Sequence, residues 1–169
     1  LLKHASIPAL RAVDLNGCWR LTDEGIFRLL DGSPGVEKAL FGGVWRLSDE
    51  AVDAIPTSWP RMSTLELTAS HHNLTAECMV RLLRACSRLT ALRLTTVHFG
   101  PGAGGWGDVL GACASHAVRS HLRVVEVEGA PGLTDEELGK YAEACTAADE
   151  AAAKEGIVQA AGAAAAGGA

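Results

Sequence analysis

Three things are scarce in this sequence: positive charge, long apolar runs and paired cysteines. Fifteen Lys and Arg stand against 20 Asp and Glu, a formal net charge of −5 with a pI near 5.6. A nucleic-acid sleeve needs a basic excess to meet phosphates, so this balance argues against nucleic acid as partner. No apolar run approaches the roughly 18 residues that a membrane span requires, so no membrane insertion is expected. The opening stretch LLKHASIPAL has neither an initiator Met nor an apolar core of useful length, and does not read as a signal peptide. The five cysteines are odd in number and form no C-x-x-C pair. That pattern reads as reduced thiols in an intracellular, cytoplasmic protein.

What the chain does have is a period. In LRAVDLNGCWRLTDEGIFRL (10–29), Leu10, Val13 and Leu15 space like a short strand, and Ile26 and Leu29 lie three apart like a helix face. Thr22 and Asp23 between them are a polar pair able to open a helix. A shift of 26 residues places Val36, Ala39, Phe41, Val44, Leu47, Val52 and Ile55 on Leu10, Val13, Leu15, Cys18, Leu21, Ile26 and Leu29. A third unit begins at Met62 with Leu65 and Leu67, slips by one residue at His71-His72-Asn73, and resumes at Leu74, Met79 and Leu82. A fourth begins at Leu89 with Leu92, Leu94 and Val97. Its connection FGPGAGGWG carries five glycines, and the helical register returns at Val109. A fifth runs through Leu122, Val125, Val127, Ala130, Leu133, Leu138 and Tyr141. Cys86, Cys113 and Cys145 each fall four residues after Leu82, Val109 and Tyr141, in a single column near a helix end that Ser33 and Trp59 occupy earlier. The spacing therefore predicts repeats over 10–35, 36–61, 62–88, 89–121 and 122–145. Residues 1–9 read as the end of a preceding repeat, from a longer chain. Residues 146–169 read as a short Ala-rich helix packing over the last repeat, followed by a loose tail.

These residues resemble the cysteine-containing subclass of leucine-rich repeats, with the consensus L-x-x-L-x-L-x-x-C-x-x-L-T-D-x-G-L. The match is closest at LRAVDLNGCWRLTDEGIFRLL and LRVVEVEGAPGLTDEELGKYAEAC. The resemblance covers about 10–145. It implies an α/β solenoid of about five repeats, with parallel strands on the concave face and helices on the convex face. Such repeats are similar to those of F-box/leucine-rich-repeat proteins, the substrate receptors of cullin-type ubiquitin ligases; the F-box itself would lie outside this chain. They also occur in non-catalytic subunits of ciliary and mitochondrial assemblies. The implied function is a non-catalytic scaffold that docks into a larger multi-subunit assembly, either as such a receptor or as a permanent structural subunit. The implied partners are proteins, not small-molecule substrates.

Strand side chains alternate, so residues between the inward Leu, Val and Cys positions face the concave side. One ladder is Asp14, Leu40, Glu66, Arg93 and Glu126; the next is Asn16, Gly42, Thr68, Thr95 and Glu128. With rungs about 4.8 Å apart, Glu66 and Arg93 can pair directly. Leu40, an exposed Leu flanked by charge, is the expected landing point for an apolar anchor. The glycine-rich insert over 99–107, with Phe99 and Trp106, is the second candidate protein-binding surface. It lacks the lysine and strand-to-helix context of a phosphate loop.

Chemistry is sparse, and neither an enzyme activity nor a cofactor is expected. Cys113, His116 and His121 could gather a metal on paper, but Cys113 belongs to the structural column and should point inward. Cys18 reads as a core residue, not a nucleophile, since no base or electropositive setting accompanies it. Asp23, Asp49 and Asp135 each follow Ser or Thr at a helix start, where an acid complements the helix dipole.

Overall fold

The computed structural model describes residues 7–68, 73–100, 102 and 104–149. Strands and helices alternate, except that two helices stand between the fourth and fifth strands. They are β1 (Ala12–Asp14), α1 (Asp23–Gly32), β2 (Lys38–Gly42), α2 (Asp49–Ser58), β3 (Thr64–Thr68), α3 (Ala76–Ala85), β4 (Ala91–Thr95), α4 (Trp106–Ala114), the short α5 (His116–Arg119) and β5 (Val124–Glu128). A last helix, α6, covers 135–149. The five strands form one parallel sheet in the order β1-β2-β3-β4-β5. This is an α/β leucine-rich-repeat solenoid, with the sheet on one face and the helices on the other.

The register follows the period of the sequence. Val13, Ala39, Leu65, Leu92 and Val125 are successive partners, and so are Phe41, Leu67, Leu94 and Val127. Between sheet and helices, Ile26, Val52, Met79 and Val109 complete the core. The central units are the best covered. Leu65, Leu67, Leu92 and Leu94 are fully buried, whereas Val125 and Val127 of β5 are only partly buried.

Just past β1, β2, β4 and β5 the chain turns through left-handed backbone. Gly17, Gly43 and Gly129 hold it at φ of 78°, 67° and 57°; the fourth unit has Thr96 there, at 52°. Glycine takes this region freely because it has no Cβ, while a β-branched residue is strained in it.

The first three helices end where their column residues cap them. The backbone N–H groups of Ser33, Trp59 and Cys86 bond to the carbonyls of Leu30, Ile55 and Leu82. Proline follows the first two, which forbids continuation. Three expectations change here. Cys18 is exposed, not core. Its counterparts Val44 and Val97 are buried because described units flank them on both sides, while among the described residues the first unit has a flanking unit on one side. The chain also does not break its helix at Cys145, since α6 runs on through 149. Finally, the helix-start aspartates do more than face their own dipole, as their contacts with the next unit show. The His71-His72 slip, residues 1–6 and the tail after 149 lie outside the described residues.

Candidate functional site

The concave ladder has the expected partners: Asp14, Leu40, Glu66, Arg93 and Glu126 sit on adjacent rungs, as do Gly42, Thr68, Thr95 and Glu128. Asn16 joins the second ladder just past β1. A Cβ on Gly42 would lie 2.1 Å from Asn16 Oδ1, so the Asn16 amide occupies the space that the glycine leaves open. Two details differ from expectation. Arg93 binds Glu126 through its Nε, not Glu66. The Glu126 hydrogen bond raises the guanidinium pKa, and Glu66 on the opposite rung adds only a weaker charge effect. Leu40 is half-buried, not exposed, because the side chains of the neighbouring rungs cover part of it.

The two aromatics of the glycine-rich stretch pack back onto the core. Trp106 is 3% exposed as the first residue of α4, its Nε1 donating to the Pro131 carbonyl at 3.2 Å. Phe99 is partly buried against it, with ring centroids 4.9 Å apart. Trp106 is therefore not presented to solvent: an indole with an in-chain acceptor is better satisfied inside.

Sequence reading missed a different aromatic pair. Trp19 and Trp45 are 60% and 55% exposed, although both are large hydrophobics. They differ by 26 residues, one repeat, and each is followed by arginine, Arg20 and Arg46. Both lie in the turn between strand and helix, where Leu21 N–H bonds to the Cys18 carbonyl and Leu47 N–H to the Val44 carbonyl. The Arg20 guanidinium sits 5.6 Å from the centroid of the Trp19 ring. The period that aligned the inward leucines would have aligned this Trp-Arg column too.

On the helix side, the units are stitched by carboxylates. Asp23 accepts hydrogen bonds from the Ser48 N–H at 3.2 Å and from its Oγ. Asp49 accepts from the Thr75 N–H at 2.8 Å and Oγ1 at 2.6 Å. Each aspartate thus holds the helix start of the next unit. The third unit has Ala76 at this place, so the next helix caps itself, Asp108 accepting from the Gly105 N–H at 2.9 Å. In the fifth unit Glu137 accepts from the Thr134 N–H and also from the Gly107 N–H of α4. These bonds hold the Glu137 carboxyl below its usual range.

The thiol column is in place but chemically quiet. Burial pushes the Cys86 thiol up to about 11 and, with help from the nearby Cys145, the Cys113 thiol up to about 12. Both stay protonated near neutrality. His116 is exposed on α5 while Cys113 is buried. No group of three or more His, Cys, Asp or Glu among the described residues is arranged to hold a metal ion. No helix among them is long and apolar enough to cross a membrane.

No protein-family model matches the chain, and no curated protein does. Among solved structures it is similar to the tropomodulin C-terminal domain of Caenorhabditis elegans. The identity is 19% and the TM-score 0.53, over 89% of this chain and 90% of that one. At that identity the likeness speaks for the fold alone, and that fold is the leucine-rich-repeat solenoid.

Proposed function

We propose that this chain is a non-catalytic protein-binding scaffold that docks into a larger assembly. The observation that carries the reading is the Trp19–Trp45 column on the solenoid rim. Two indoles left more than half exposed on consecutive units are costly to hydrate, and tryptophan and arginine are both enriched among the residues that carry binding energy at protein interfaces. The concave ladders beside it, from Asp14 and Asn16 through Glu66, Thr68, Arg93 and Thr95 to Glu126 and Glu128, supply the polar surround, with Leu40 an apolar rung among them. The helix-end column of Cys86, Cys113 and Cys145 supports membership of the cysteine-containing repeat subclass. The identity of the captured partner separates a ubiquitin-ligase receptor from a structural subunit of a ciliary or mitochondrial particle.

The test is quantitative capture of partners from native extract, comparing the wild-type chain with a Trp19→Ala/Trp45→Ala variant and with Asp53→Ala as a folded surface control. The expected result is a defined partner set kept by wild type and by the control and lost by the double variant. Full retention of every partner by a folded double variant would refute the reading.

A further inference from the structure

A second surface lies at the opposite end of the strands, where the chain enters the sheet. Ser63, Thr90 and Arg123 sit there on successive rungs, because each backbone N–H bonds to the carbonyl one unit back, on Glu37, Ser63 and Thr90. Two residues before each comes a second column: Arg61, Arg88 and His121. Together with Arg123 they line an open depression of about 520 Å³. Its one acid is Glu37, and Arg11 is already within 3.6 Å of that carboxylate. Arg61 and Arg88 are exposed and make no ion pair or hydrogen bond among the described residues; Arg123 donates only to the Ser120 carbonyl, at 3.3 Å. The Ser63 and Thr90 hydroxyls donate to backbone carbonyls, which leaves the guanidiniums as the donors available to a ligand. The imidazole Nε2 of His121 is buried without a partner beside them.

We propose that this depression binds an acidic segment of a partner protein. A chain of net charge −5 that gathers three arginines, with their charges uncompensated, on adjacent repeats has built a local field of the opposite sign. Guanidinium forks match carboxylates in a bidentate way. Three units span about 10 Å, two rungs of roughly 4.8 Å, which about three residues of extended chain would cover. That is the scale of a short Glu- or Asp-rich stretch. A longer polyanion such as a nucleic acid would run beyond the patch onto the acidic remainder of the surface. The inference is independent of the Trp19–Trp45 rim, which lies at the other end of the strands, so either can fail without the other.

Fluorescence anisotropy with a labelled oligo-glutamate peptide tests it, with the matching oligo-glutamine peptide and a single-stranded oligonucleotide of equal charge as comparisons. Saturable binding of the glutamate peptide alone is expected, weakening as salt rises. Arg61→Glu, Arg88→Glu and Arg123→Glu should each weaken it by about tenfold or more. Arg28→Glu, on the exposed face of α1 and outside both surfaces, should leave it within about twofold. Circular-dichroism melts confirm that each variant is folded. No binding of the glutamate peptide, undiminished binding by folded charge-reversed variants, or tighter binding of the oligonucleotide would each overturn the proposal.

Discussion

Replacing Asp49 by alanine removes the stitch between the second and third units. Its carboxylate, with a side chain 29% exposed, accepts from the Thr75 N–H at 2.8 Å and from Thr75 Oγ1 at 2.6 Å. A hydrogen bond to a charged group contributes about 1.5–3 kcal/mol, and a partly buried N–H left without an acceptor costs about 1–3 kcal/mol. Two such bonds, discounted for partial solvent access, put Asp49→Ala at about 2–3 kcal/mol of destabilisation. Asp49→Asn keeps one acceptor oxygen for the Thr75 N–H and should cost about 1 kcal/mol. Asp53→Ala is the control. Its ion pair with Arg81, at 2.8 Å, joins two exposed side chains and should contribute under about 1 kcal/mol. Urea unfolding with an unchanged m value reads the three costs. Hydrogen exchange at the Thr75 amide localises them, because in a solenoid the loss falls on one interface between neighbouring repeats. If Asp49→Ala proves no more destabilising than Asp53→Ala, the stitching argument is wrong.

Two further outcomes follow from the same geometry. Thr96→Gly relieves a β-branched residue at φ 52° and should stabilise the chain by about 1 kcal/mol despite glycine's greater unfolded entropy; a lowered midpoint in urea would contradict this. Glu137, whose carboxyl is held low chiefly by the Thr134 N–H, contributes stability that is present above the ordinary carboxylate range and disappears as pH falls through its depressed value. Glu137→Gln should therefore flatten the acid limb of the stability–pH curve, and an unaltered limb would show that Glu137 does not contribute there.

How much was legible can be judged residue by residue. Val13, Ala39, Leu65, Leu92 and Val125 were readable as one row, because a parallel sheet built from near-equal repeats has a register that spacing alone dictates. The Cys86 and Cys113 column was readable for the same reason. The Trp19–Trp45 rim was legible as a spacing of one repeat, but its exposure was not, because burial depends on what neighbouring units cover. Arg93's choice of Glu126 over Glu66 was not readable, since both carboxylates stand one rung away and side-chain geometry decides between them.

By itself, then, the amino-acid order determined the repeat length, the alternation of strand and helix, and which side chains share a row. Those properties follow from local periodicity, which every unit carries within its own residues. Tertiary structure decided what covers each row. It left Cys18 exposed beside a single described neighbour and folded Trp106 inward onto the Pro131 carbonyl. It also turned Asp23 and Asp49 from caps into bridges between units. Burial and partner choice depend on what an adjacent unit presents, and a unit's own sequence does not contain its neighbour.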